Sequence, residues 1–160
     1  MQSIGSLIQL NTCNIHKVFR DTKLNHKCIE FIGEHSKPSG YFDSLRGLLF
    51  KEAEVAIFTN CDKDFMYTWF NRSIFCPWNL KQIYINSHQC ECNILRRFQR
   101  PSHDRIAGSE IPPTIFLPGN GVYNSYKRYW ATELDNVVVL PDKGFEVCIQ
   151  ELRNFYSKMS

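Results

Sequence analysis

Val55-Ala56-Ile57-Phe58-Thr59, broken at once by the polar stretch Asn60 to Asp64, is the segment that decides the fold. It is short, apolar throughout and rich in β-branched and aromatic side chains. A run of that kind, stopped by Asn and Asp, reads as a strand buried on both faces. Three more of the same type follow. Gln82-Ile83-Tyr84-Ile85-Asn86 comes after a Pro-Trp turn, Thr114-Ile115-Phe116-Leu117 ends at Pro118-Gly119-Asn120-Gly121, and Asn136-Val137-Val138-Val139-Leu140 ends at Pro141-Asp142. Both faces of such strands need cover, which crossover segments supply in a parallel sheet.

Working outward, helix-compatible stretches lie between and beside the strands: Asp62 to Asn71, Cys92 to Gln99, Ser125 to Thr132, and Phe145 to Met159. In the last, Val147, Ile149, Leu152, Phe155 and Tyr156 fall near helical spacing. Tyr41 to Phe50 reads as a helix leading into the first strand. Met1 to Asn25 is ambiguous, with Ser6 to Leu10 open to being an added strand. Strands alternating with helices predict an α/β fold, a three-layer sandwich around a mainly parallel central sheet with right-handed crossovers. The layout is RecA-like or Rossmann-like.

The chain has 160 residues, suited to one domain over residues 1–160. Hydrophobic residues at 43% are enough for a substantial core, and charged residues at 22% argue against wholesale disorder. No apolar run approaches the roughly 18 residues of a membrane helix, and Met1 to Leu10 lacks the basic start and long apolar stretch of a signal peptide. A partner membrane is therefore not expected. Seven scattered cysteines, an odd number, read as reduced thiols of a cytosolic or nuclear protein. The net charge of +3 permits nucleic-acid contact without demanding it.

Several residue groups could carry chemistry. Cys90 and Arg96 have the Cys-x5-Arg spacing of cysteine phosphatases, but the intervening loop holds a carboxylate and bulky apolar groups where backbone amides would have to surround phosphate. His88, Cys90 and Cys92 lack an evident fourth zinc ligand. Cys61 sits just after a strand, at a helix start that lowers a thiol pKa; with no partner cysteine nearby, packing is the plainer reading. Asp62 and Asp64 are candidate paired acids, with helix capping the simpler role. Neither a catalytic residue, a metal nor a cofactor is expected. Phe65, Tyr67, Trp69, Phe70, Phe75 and Trp78 concentrate the aromatics, for core packing or for a protein interface.

The basic segments are the most suggestive. Arg96, Arg97, Arg100, His103 and Arg105 form one group; Lys127 and Arg128, flanked by Tyr123, Tyr126, Tyr129 and Trp130, form another. Cations interleaved with aromatics suit phosphate contact and base stacking. Gly119 and Asn120, in the turn after the third strand, could add backbone amides for a phosphate. The candidate RNA-binding set is therefore Arg96, Arg97, Arg100, Arg105, Gly119, Asn120, Lys127 and Arg128. The plain alternative is a solvated basic face.

Leu45 to Phe50 leading through Lys51-Glu52-Ala53-Glu54 into Val55 to Asn60, then Tyr84 to His88, Leu95-Arg96-Arg97-Phe98, Thr114 to Leu117, Val137 to Pro141 and Cys148 to Asn154, resembles in order and spacing the C-terminal RecA-like domain of superfamily-2 RNA helicases. The resemblance spans roughly Tyr41 to Ser157. It implies an arginine-rich finger motif near Cys148 to Asn154 and a Thr-Asp pair after the third strand. Here Gln150-Glu151-Leu152-Arg153-Asn154 sets a carboxylate where a guanidinium belongs, with Arg153 one position out of register, and Pro118-Gly119 replaces the Thr-Asp pair. No Gly-x-x-x-x-Gly-Lys-Ser/Thr occurs. A lost finger costs orders of magnitude in rate. The degeneracy resembles the decayed helicase domains of Yb-type Tudor-domain scaffold proteins of the piRNA pathway, which implies RNA binding, protein partners and self-association as a homodimer in a cytoplasmic ribonucleoprotein granule. The expectation is a non-catalytic module, excised from a larger protein. The rivals are a small α/β enzyme of nucleotide hydrolase or TIR-like nucleosidase type, using Asp62, Asp64 or Glu133, and a structural fragment whose chemistry lies in neighbouring domains.

Overall fold

The computed structural model describes residues 2–13, 22–23, 25–34, 48–49, 52–62, 64–66, 80–86, 113–119 and 136–159. The strands are β1 (Gln2–Ile4), β2 (Leu7–Asn11), β3 (Thr22–Lys23), β4 (Cys28–Ile32), β5 (Leu48–Leu49), β6 (Val55–Thr59), β7 (Gln82–Asn86), β8 (Thr114–Pro118) and β9 (Val137–Leu140), followed by helix α1 (Asp142–Lys158). Seven strands form one sheet in the order β1-β2-β4-β6-β7-β8-β9. Every pair from β2 to β9 is parallel, and only β1, folded back on β2, is antiparallel. The four strands expected from sequence are thus adjacent and parallel, and the α/β class with a mainly parallel sheet holds.

Strand order follows the chain without reversal. Each parallel connection steps to the next position in the same direction. Just after β6, Phe65 packs on one face against Phe31 and Phe58, and α1 lies on the other. It leaves the C-terminal end of β9 and crosses the sheet toward β2, where Ser6 donates its N–H to the Tyr156 carbonyl at 2.8 Å. Seventeen residues give a helix of about 25 Å, close to the ~29 Å between the outer strands of a seven-stranded sheet.

Phe145, Ile149 and Tyr156 supply the buried stripe of α1 and pack on Leu7, Cys28, Val55, Ile57 and Tyr84. The opposite face carries Ile8, Leu10, Ile29, Phe31, Ala56, Phe58, Ile83, Ile85 and Ile115, all essentially inaccessible. There Phe31 stacks on Phe58 at 5.3 Å and meets Phe65 edge-on at 5.2 Å. Phe65 follows β6 in the stretch expected to be helical, of which 64–66 are described and form a helical turn.

Two glycines permit close approaches. Gly5 opens the two-residue turn between β1 and β2 at φ +58°, a first-position glycine as type II′ hairpins require. A Cβ there would also collide with the Ser157 carbonyl oxygen. At the end of β4, a Cβ on Gly33 would collide with the carbonyl of Asn60, itself held at φ 54°.

Two expectations need correction, and one strand went unread: Cys28–Ile32 lies within the sheet between β2 and β6. Leu48–Leu49, placed in a helix by its sequence context, instead pairs in parallel with Thr22–Lys23; tertiary pairing overrides local preference here. Asn136 precedes β9 instead of opening it. It is buried, with its Nδ2 donating to the Pro113 carbonyl at 3.0 Å. The helices expected at Cys92 to Gln99 and Ser125 to Thr132 lie outside the described residues. No helix among the described residues is long and apolar enough to cross a membrane.

Candidate functional site

The helix-covered face of the sheet is chemically divided. Lateral register aligns Gln9 with Glu30 and Glu30 with Ile57, then Ile57 with Tyr84. One row further toward the strand C-termini lie Asn11, Ile32, Thr59 and Asn86. Toward the N-terminal ends of β2, β4 and β6 the face is apolar, with Leu7, Cys28 and Val55, and lies under α1. Toward the C-terminal ends of β2, β4, β6 and β7 it turns polar, with Gln9, Asn11, Thr59 and Asn86 half-buried. We call this region the polar shelf; its inner wall is α1.

Glu30 is the centre of the shelf and has no accessible surface. Its carboxylate accepts from Gln9 Nε2 at 2.8 Å, Thr59 Oγ1 at 2.7 Å, Arg153 Nε at 2.9 Å and Arg153 Nη2 at 2.5 Å. Burial pushes the carboxyl up, but hydrogen bonds from Arg153, Gln9 and Thr59 outweigh it and hold the group below the usual carboxylate range. Its hydrogen bond to Glu30 in turn raises the Arg153 guanidinium. The paired fork geometry is the strongest form of carboxylate recognition available to a side chain. Asn11 Nδ2 donates to Glu34 at 2.9 Å at one side, and Asn86 Nδ2 donates to Glu146 at 3.3 Å at the other. Among the described residues the shelf holds amides, carboxylates and the Arg153 guanidinium, but no activated nucleophile. Glu30, with four donors on two oxygens, is stably ionised and unsuited to act as a general base.

The structure places few of the residues singled out from sequence. Gly119 follows β8 directly, and its N–H is already spent on the Leu140 carbonyl at 2.7 Å, so it has no amide to offer a phosphate. Arg96, Arg97, Arg100, Arg105, Asn120, Lys127 and Arg128 lie outside the described residues, as do His88, Cys90, Cys92 and Glu133. By chain order they belong to the connections leaving β7 and β8 at the same sheet edge as the shelf. Asp62 caps the turn after β6, accepting from the Phe65 N–H at 2.7 Å. Cys61 departs from expectation: burial pushes its thiol well up, and its Sγ–H points to the Phe31 carbonyl at 3.3 Å. Among the described residues no group of three or more His, Cys, Asp or Glu side chains is placed to hold a metal ion.

Sequence reading missed Glu30 and its partners altogether. The available signal was a lone carboxylate inside Cys28-Ile29-Glu30-Phe31-Ile32, since an acid in an apolar strand needs a buried cation. Arg153 was noted, but for a different duty.

The fold and shelf define an α/β protein built on a mainly parallel sheet whose strands follow chain order, with polar side chains gathered at its C-terminal edge. Residues 44–131, more than half of the chain, match the model of a family of unknown function, DUF5845. The chain belongs to that family. It is 32% identical over 92 residues to the uncharacterized protein R849 of Acanthamoeba polyphaga mimivirus, an alignment covering 58% of this chain and 53% of the viral one. The chain thus spans about half the length of that curated relative. No solved structure matches it. The matched family region contains every basic residue of the candidate RNA-binding set and excludes both Glu30 and Arg153.

Proposed function

We propose that this domain is a non-catalytic, helicase-like module that binds RNA, with protein interaction or self-association in RNA silencing as its wider role. One observation carries the non-catalytic part: Arg153, the guanidinium nearest the position of a helicase finger, is tied by two hydrogen bonds to buried Glu30. Reaching a triphosphate would break that pair and leave an uncompensated buried carboxylate, at a cost of about 3–5 kcal/mol. Pro118-Gly119, where the helicase pattern has Thr-Asp, argues the same way. The RNA part is supported by the two basic segments, the second flanked by aromatics, both in connections that leave the sheet at its C-terminal edge.

A RecA-like architecture belongs to the same proposal. Strand order bears on it, because doubly wound nucleotide-binding sheets reverse direction at a switch point, and this order runs one way. A backbone trace placing both the 87–113 and 119–136 connections on one face would remove the RecA-like label and leave the binding reading intact.

Filter binding to single-stranded RNA across a salt series tests the function. We expect affinity to fall with salt and to drop further when Lys127 and Arg128 are both changed to Glu. Salt-insensitive retention, or none, removes the RNA role; light scattering then decides self-association. ATP consumption by the purified chain at an ordinary enzymatic rate overturns the non-catalytic reading.

A further inference from the structure

The two ends of the sheet are unlike. At one end β1 is only three residues long, and a short edge strand is one way to keep a sheet from pairing with another chain. At the other end β9 is Val137-Val138-Val139-Leu140, apolar throughout, and no charged residue falls from Asn136 to Pro141. The ladder with β8 fixes which backbone groups of β9 point outward. Ile115 donates its N–H to the Asn136 carbonyl at 2.8 Å, and Gly119 donates to the Leu140 carbonyl at 2.7 Å. In a parallel ladder, successive residues turn N–H and C=O to alternate sides. The even-numbered residues therefore bond β8, while Val137 and Val139 direct both groups away from the sheet. Among the described residues none pairs with them. Val138 shares its face with its β8 partner Phe116, on the α1 side, and is 38% exposed there.

A second copy, turned about a two-fold axis normal to the sheet, presents the same edge antiparallel with its α1 on the same face. Opposed residues must share a face, so the axis passes at a residue of β9, and Val138 and Val139 give the greatest overlap. An axis at Val139 sets Val137 against Pro141 of the second copy, which has no N–H, and leaves the Val137 carbonyl unpaired. An axis at Val138 sets Val137 against Val139 on both sides. Each outward N–H then meets an outward C=O, making four hydrogen bonds. The two Val138 residues meet at the close, non-hydrogen-bonded position in the centre, with Cα atoms about 4.5 Å apart. One register thus satisfies the whole edge, covers the exposed valine and brings no like charges opposite. We infer that the edge of β9 is a homodimer interface, in which two copies pair antiparallel about Val138 and join their sheets into one. This rests on the self-association part of the proposed function and gives it a surface; the RNA role does not enter.

Sedimentation of the full chain over a concentration series is the first test. The parent is expected to show a monomer–dimer equilibrium with a Kd on the order of micromolar, as suits a small interface. Val138→Lys, at an exposed position, raises it about a hundredfold by setting two like charges face to face. Val138→Cys tests the register. Oxidised glutathione takes up the hydrogens of the two introduced thiols, which the proposed pairing holds at a separation that a disulfide spans. Peptide mapping then finds a 138–138 link between copies. Circular dichroism checks that each variant folds, and if Val138→Lys does not, the link alone decides. A parent that stays monomeric through about 100 µM overturns the edge pairing and self-association together. A parent dimer that Val138→Lys leaves intact, or one without the 138–138 link, overturns the edge pairing while self-association stands.

Discussion

Glu30 is a carboxylate in the middle of a strand with no accessible surface, and most of what the fold asks of a single residue is visible there. Its folded pKa lies below its unfolded one, so the pair adds stability that is fully present above the ordinary carboxylate value and is lost as pH falls through the folded value. Urea denaturation over acidic to neutral pH should show that loss. Glu30→Gln flattens this part of the profile and costs about 3 kcal/mol at neutral pH by leaving Arg153 without its anion. Arg153→Met reverses the sign: with the guanidinium gone, burial dominates, the carboxyl pKa rises, and stability is lost as pH increases past the ordinary value. An Arg153→Met profile parallel to the parent's would refute the pair's role. Gly5 offers a separate check. Gly5→Ala forces a side chain into a positive-φ turn and against the Ser157 carbonyl, and should cost roughly 1–3 kcal/mol in the same assay. Glu30 was legible in the sequence as an anomaly, a charge inside an apolar run. Its partner was not, because Arg153 lies 123 positions away and no local pattern links them.

At the scale of elements, strands were the most readable feature. β6 and β7 begin and end where their sequences predict, because each apolar run is bounded by residues that favour turns. β4 escaped because Glu30 interrupts its hydrophobicity. α1 was readable from its spacing but not in its duty. Phe145, fully buried against Tyr84 at 6.1 Å between rings, and Phe155, 59% exposed, are both aromatic members of one helix. They separate cleanly under mutation. Phe145→Ala should cost about 3–5 kcal/mol in chemical denaturation, whereas Phe155→Ser should stay within about 0.5 kcal/mol. Equal losses would mean that α1 does not lie on the sheet as described.

Over the whole molecule, Cys28 and Cys61 report on cooperativity. Burial pushes the Cys28 thiol up to about 12 and the Cys61 thiol higher still, so neither offers a thiolate while the fold is intact. If the chain is one cooperative unit, iodoacetamide should label both only through global opening and at one common rate, while half-buried Cys13 and Cys148 react sooner. Peptide mapping over a labelling time course reads this directly; two distinct rates for Cys28 and Cys61 would divide the chain into independent units. Their sheet is where the two levels of information part. The sequence alone determined that strands exist, that the C-terminal stretch is helical and that the sheet is parallel, because hydrophobic period and turn residues act over neighbouring positions. Tertiary structure alone decided the order of the strands, the lie of α1 across one face, and the meeting of Gln9, Glu30, Thr59 and Arg153. Those depend on which faces become buried together, a choice made by packing and charge compensation between segments that are remote along the chain.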